Sequence, residues 1–356
     1  MDPLTHTLVG ANLAASRLGR TTRCAAAALV LGANLPDVDV AAYFAGPETA
    51  LAFRRGWTHG LPALAVWPFV LTGVLALWGR SRPRPEAPPL RSGRLLALAG
   101  LALLTHPALD WLNNYGMRWL MPFDGGWTYG DSVFIMDPWL WLLLAGPWLL
   151  TRRPGRALLL GWAIVFALIG WLVGHRAPGY LPVVAAVALT LLVAWRVPPE
   201  SLGAWKDRLP VLGLAAGALW IVGLIGLHAS AESRVRDELE AAGIEPVERL
   251  MVGPSPLDPG RWEAVVELPE EYRWGRLALW GDEGGLELDP GRIARPDAGR
   301  LAQLAAADET IRRFLVWARF PWALETPDGV MVLDARYART PRRGFGAMAS
   351  DDARPD

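Results

Sequence analysis

Eight apolar runs separated by arginine-bearing connections constrain this chain more than any other feature. They fall at about residues 4–16, 24–35, 61–78, 95–112, 138–150, 157–173, 180–195 and 211–227. Several of the later ones approach the ~20 residues that a helix needs to cross a hydrocarbon core. The first, second and fifth are short for a full crossing and read as half-spans or as helices packed inside a bundle. With 52% hydrophobic residues and 19 tryptophans, the composition suits a multi-span membrane protein better than a soluble enzyme.

Charge in the connections then sets an orientation. Fourteen basic residues (Arg17, Arg20, Arg23, Arg80, Arg82, Arg84, Arg91, Arg94, Arg152, Arg153, Arg156, Arg196, Lys206 and Arg208) occupy alternate connections, against four (Arg54, Arg55, Arg118 and Arg176) in the others. Because cytoplasmic loops carry the excess of Lys and Arg, the fourteen-charge side is expected to be cytoplasmic. Eight crossings from an outside N-terminus leave the C-terminus outside as well. The total charge carries no such information: Lys+Arg and Asp+Glu are equal at 35, which gives no footprint for nucleic acid. The single cysteine, Cys24, excludes an internal disulfide and a cysteine-rich zinc site. The opening MDPLTHT lacks the basic n-region of a signal peptide.

From about Ala229 the composition changes. Residues 231–248 are charged and helical in pattern, strand-like alternation follows at 262–268 and 276–280, a polar helix-like run covers 297–314, and 314–322 and 330–337 again read as strands. The expected fold is mainly α: a polytopic membrane helical bundle followed by a soluble α+β domain. Its expected parts are a membrane-embedded metal-site domain (1–150), additional transmembrane helices (151–229), an outer-face α+β domain (230–340) and a disordered tail (341–356).

Ionisable residues of metal-ligand type cluster in the first third: His6, Asp37 and Asp39, His59, and the pair His106 and Asp110. The topology puts all of them at non-cytoplasmic ends of segments, where an ionisable group is expensive and marks a functional site by default. His106 and Asp110, four residues apart in a helical run, point to one face, as two ligands of one metal would. A hydrogen-bonded pair satisfying itself inside a bundle is the alternative. Asp37 and Asp39 follow Pro36 and are expected in an extended segment facing the same way, where two carboxylates repel unless a cation lies between them; a solvated turn explains them equally simply. His59 also fits an interfacial histidine beside the Trp57 anchor. Arg54 and Arg55 suit either a substrate anion or lipid headgroups. His175 and His228, without acidic neighbours, read as structural. Taken jointly, three histidines and at least two aspartates suit zinc, and manganese or iron as well.

The runs MDPLTHTLVGA, LGANLPDVD, RRGWTHG and THPALDWLNNYGMRWLMPFDGGWTYGDSVFIMDPWLW resemble the YdjM/YbcI-like family of bacterial inner membranes, described as membrane-bound metal-dependent hydrolases. The likeness covers about residues 1–150 and implies a bacterial inner-membrane location. A more distant resemblance is to the zinc-dependent phospholipase C and S1/P1 nuclease helical fold. It implies that Asp37 or Asp39, His59, His106 and Asp110 hold one metal, and that Asp110 with His6 holds a second. The third zinc set of those enzymes, a later His and a His-x-x-x-Glu, has no counterpart here.

The loop after His106 carries Arg118, which is expected either to face a substrate anion or to lie in an interfacial loop anchored by Trp119 and Trp127. An open position on a bound metal lowers the pKa of water, so hydrolysis is the natural reaction class. The resulting expectation is a hydrolase holding one or two zinc ions, with one of Asp37 and Asp39 a ligand and the other the general base. Its partners would be membrane lipids and a small-molecule or lipid ester or phosphoester. The competing expectation is an envelope scaffold in which the metal only staples short helices.

Overall fold

A computed structural model of the chain describes residues 1–82, 86–151, 155–174, 180–281, 284–327, 329–339 and 346–348. His175, Arg84, Arg152, Arg153 and Arg176 lie outside these residues. The chain divides into two compact units: 1–38, 58–227 and 254–259 form the first, and 39–57, 228–253 and 260–356 the second.

The first unit is helical. Its elements are α1 (Pro3–Ala15), α2 (Ala25–Gly32), α4 (Leu61–Ser81), α5 (Ser92–Trp111), α6 (Pro138–Leu150), α7 (Arg156–Gly174), α8 (Tyr180–Arg196) and the first part of α9 (Trp205–Ala241); α3 (Pro47–Phe53) belongs to the second unit. Among the described residues, α4, α5 and α9 are long and apolar enough to cross a membrane. A fourth span results if α2 and the bent 3₁₀ stretch Leu35–Ala45 count as one broken crossing. At 13 residues each, α1 and α6 are too short to cross alone, as the short first and fifth runs imply.

Polar residues start the short helices. Asp2 caps α1 by accepting from Thr5 N at 3.0 Å, with Pro3 at the first position, and Asp137 caps α6 by accepting from Leu140 N at 2.8 Å. Each cap is worth about 1 kcal/mol. Both also receive indole N–H groups, Trp141 on Asp2 and Trp220 on Asp137, so each carboxylate joins two helices.

Small residues bring α2 against α5. A Cβ at Gly32 would stand 3.0 Å from Ala102 Cβ and 3.3 Å from Ala99 O, so only glycine permits that approach. Ala28, Leu71, Leu75, Leu95 and Ala99 fill the space among α2, α4 and α5. In this way the three helices that lead to the candidate ligands are fixed against one another.

The second unit is α+β. A four-stranded sheet in the order β1 (Arg249–Pro254), β2 (Arg261–Glu267), β3 (Glu271–Ala278), β4 (Gly285–Ala294) is followed by α10 (Ala298–Ala307), α11 (Glu309–Trp317) and a three-stranded sheet of β5 (Pro321–Thr326), β6 (Gly329–Asp334) and β7 (Gly346–Met348). The pairings β2–β3, β3–β4, β5–β6 and β6–β7 are antiparallel. Val265, Tyr272, Trp274, Phe320, Trp322 and Leu333 make the core.

Three details depart from the sequence expectation. The helix-like run at 297–314 is two helices, because Asp308 turns its side chain onto Thr310 N and Ile311 N and starts a new one. Helix α9 runs unbroken through the compositional change near Ala229, since hydropathy marks the surroundings of a helix and not its end. Of the expected tail at 341–356, the described residues Gly346–Met348 pair with β6.

Asp334 pins the second unit. Fully buried, it accepts from Arg319 N at 2.6 Å and from Arg336 N, Nε and Nη2 at 2.9, 3.0 and 2.8 Å. Burial pushes its carboxyl up, but the Arg336 guanidinium and these hydrogen bonds outweigh that and hold it below the usual carboxylate range. A carboxyl lowered by folding stabilises the fold above its unfolded pKa, near 4, and ceases to do so as pH falls through the lower folded value. Asp334→Asn removes the carboxylate from the buried Arg336 guanidinium and is expected to cost about 3–5 kcal/mol. Hydrogen exchange across residues 321–334 at pH 7 checks this, and the difference between wild type and variant should shrink below about pH 4.

Candidate metal centre

Three chain segments of the first unit bring the four candidate ligands together. Asp37 lies early in the 3₁₀ stretch that follows α2, His59 stands two residues before α4, and His106 and Asp110 are one helical turn apart near the end of α5. One ligand atom from each of Asp37, His59, His106 and Asp110 lies within 4.8 Å of the others. His59 Nε2 and His106 Nε2 are 3.1 Å apart. Asp110 Oδ2 is 3.3 Å from the first and 3.5 Å from the second, and Asp37 Oδ1 is 3.8 Å from both. Ligands of a tetrahedral zinc at its usual bond lengths stand about 3.3 Å apart, so these separations are those of a coordination shell.

Groups behind the ligands fix their orientation. His106 Nδ1 is 2.7 Å from Ala33 O, and since a carbonyl only accepts, that nitrogen carries the proton. His106 therefore turns Nε2 toward the cluster. His59 Nδ1 is held at 2.9 Å by Thr58 Oγ1. Imidazole nitrogens and carboxylate oxygens then converge, with His59 and His106 fully buried, Asp110 1% exposed and the Asp37 side chain 19% exposed. One proton would relieve one contact; a divalent cation would relieve them all and cancel the two carboxylate charges. The residues present fit a metal ion.

The remaining expected residues divide. His6 stacks on His106, with ring centroids 3.7 Å apart, and its Nε2 is 3.2 Å from Asp110 Oδ1, the oxygen turned away from the other two histidines. The amino group of Met1 donates to the same oxygen. Asp110 thus shows one oxygen to the four-residue group and the other to His6. Asp39 is not in the group. It belongs to the second unit, where Arg54 Nε donates to its Oδ1 at 3.1 Å and Arg55 N to its Oδ2 at 3.0 Å. The segment is 3₁₀ and not extended, so side chains two apart point about 120° from one another instead of the same way. That geometry separates Asp37 from Asp39.

Arg118 is buried, 3% exposed, and its guanidinium lies 4.8 Å from the Trp127 ring. Its loop folds back on itself through reciprocal hydrogen bonds between Met117 and Thr128 and is tied to the start of α4 by Leu61 N to Trp119 O at 2.7 Å. Thr58 and the Ala33 carbonyl were the positioning groups that sequence reasoning missed. The first adjoins a candidate ligand and could have been noticed, whereas a backbone carbonyl leaves no signal in a sequence.

Residues 1–179 match the model of a family described as the YdjM inner membrane protein. This chain belongs to the YdjM family. All the ligand-type residues of the centre lie within the matched half. A further relative is a protein of Bacillus subtilis (strain 168), described as uncharacterized protein YfhP, 26% identical over 115 residues. That stretch is 32% of this chain and 33% of YfhP, so the chain spans about a third of that relative's length. No solved structure matches this YdjM-family chain.

Proposed function

We propose that this YdjM-family protein is a membrane-bound, metal-dependent hydrolase that cleaves an ester or phosphoester, with lipid the substrate class that its location favours, on the non-cytoplasmic side of the membrane. The observation that supports this most is the convergence of Asp37, His59, His106 and Asp110 with His106 oriented by a backbone carbonyl. Bound there, a divalent ion such as zinc supplies an electrophile and a water of lowered pKa.

The chain's own groups then have distinct tasks. His59 and His106 offer their Nε2 atoms and are held in place by Thr58 and Ala33. Asp37 is the most open of the four, with its side chain 19% exposed, and marks the side from which water and substrate enter. His6 with Asp110 Oδ1 would begin the shell of a second ion only by displacing the Met1 amino group from that oxygen, which makes the complement one or two. The Arg54 guanidinium is engaged with Asp39, whereas Arg55 meets Asp39 through its backbone N–H. Recognition of a substrate anion falls to Arg118, whose fork is stiffened against Trp127, with the Arg55 side chain as a further candidate. The distant phospholipase-like ligand pattern adds support for a phosphoester.

A second reading has an observation of its own. Three of the four donors are almost completely buried, and closed four-ligand sites are typically structural. The test is to purify the full chain, load it with zinc, and screen phospholipids and small phosphoesters with and without chelator. Metal-dependent turnover that Asp37→Ala lowers by about a hundredfold or more supports the hydrolase. A protein that holds its metal and turns over no ester is the scaffold, and one that holds no metal removes both readings.

A further inference from the structure

A cavity at the opposite end of α4 has no part in the metal centre. The start of α4 follows His59, and Trp78 and Gly79 near its other end lie about 27 Å away at the helical rise per residue. That distance is close to the thickness of a hydrocarbon core. The cavity, about 270 Å³, is lined by Arg20, Arg23, Arg82, Trp78, Cys24 and the first residues of α2. It therefore sits where headgroups of one leaflet would be, on the arginine-rich side of the bundle.

Its chemistry is one-signed. Three guanidinium groups line it, and among the described lining residues there is no carboxylate. Arg20 is balanced by Asp207, to which it donates at 2.5 Å. Arg23 donates to a neutral acceptor, Gly79 O, at 3.1 Å, and Arg82 lies over the Trp78 ring at 5.8 Å. The placement of Arg23 is built into the fold: a Cβ at Gly79 would meet Arg23 Cδ at 3.3 Å and Cys24 Sγ at 3.0 Å, so glycine there lets the arginine stem lie against α4. The start of α2 adds partial positive charge, because its cap residue Cys24 gives no side-chain hydrogen bond to the first N–H groups. Trp78, nearly half exposed, supplies the amphipathic ring found at membrane interfaces.

We infer that this cavity binds the phosphate of an anionic phospholipid headgroup, with Arg23 and Arg82 as its cationic contacts and the start of α2 as a backbone donor. Basic pockets between helices near a membrane surface recognise such headgroups, and Trp78 would flank the glycerol. The inference is independent of the hydrolase reading, since it uses none of the metal ligands.

Cys24 is the only cysteine of the chain and lines the cavity, so it reports occupancy in the unaltered protein. The rate of its alkylation by a small neutral maleimide is measured on full-length protein in detergent, with phosphatidylglycerol, phosphatidylcholine or inorganic phosphate added. Phosphatidylglycerol is expected to slow alkylation at least fivefold at saturation, and phosphatidylcholine to leave it unchanged. In Arg23→Gln/Arg82→Gln protein the slowing should largely disappear; should that variant fail to fold, thermal stabilisation of wild type by phosphatidylglycerol over phosphatidylcholine serves instead. Slowing by inorganic phosphate without slowing by phosphatidylglycerol overturns the lipid as the source of the anion. Equal slowing by both lipids, or none by any addition, overturns the site.

Discussion

His106→Ala protein is expected to leave purification essentially without metal. The substitution removes a donor that lies 3.1 Å from one ligand atom and 3.5 Å from another, and it deletes the imidazole whose Nδ1 is anchored on Ala33 O. Loss of a group that merely orients a ligand costs about 10–100-fold in metal affinity, and loss of the ligand itself should exceed that range. Elemental analysis of wild type and variant after identical dialysis gives the answer. Equal metal content in the two would remove His106 from the shell and with it the proposed centre. Because burial at this position is complete, the variant's helix content should be checked by circular dichroism alongside; a folded apo-protein is the expected product.

The second large effect separates two carboxylates only two residues apart. Asp37→Ala should lower zinc affinity by about a hundredfold or more, since Asp37 is one of the four converging donors. Asp39→Ala should leave affinity within a few fold, because both Asp39 oxygens already accept from Arg54 and from the Arg55 backbone. Its cost falls on the stability of the 39–57 segment, where a largely buried ion pair and a buried hydrogen bond to a charged group together are worth about 2–3 kcal/mol. Competition titration with a chromogenic chelator measures the first, and proteolysis between residues 39 and 57 the second. If Asp39→Ala loses metal as Asp37→Ala does, the division between the two is mistaken.

Much of the centre could be read before any coordinates. The spacing of His106 and Asp110 is a property of helical periodicity, and a polar pair in an apolar run has few places to go, so the sequence pattern led directly to one helix face. His59 was found because it opens a long apolar run. The choice between Asp37 and Asp39 could not be made, since it turns on whether a short segment after Pro36 is extended or 3₁₀, and propensity does not separate those over so few residues. Nor could hydropathy show that residues 39–57 group with the C-terminal unit, where α3 packs on α11. Contacts between segments so far apart in the chain leave no periodic signature in either one. The strands β2 and β6 were legible from alternation, whereas β4, with its exposed and glycine-bearing pattern, offered none. The run at 276–280 met only the end of β3, and that at 314–322 only the first two residues of β5, most of it being the end of α11 and the turn after it.

That grouping sets a clock on biosynthesis. Thr49 receives a hydrogen bond from Arg313, 264 residues later in the chain. At about 5–20 residues per second, the ribosome delivers α11 on the order of 13–50 s after the stretch between Asp37 and His59 has emerged. For that interval every candidate ligand has been made, yet the segment joining two of them lacks its folding partner. A chain halted before α11 therefore carries the whole candidate ligand set while residues 39–57 still lack the rest of their own unit.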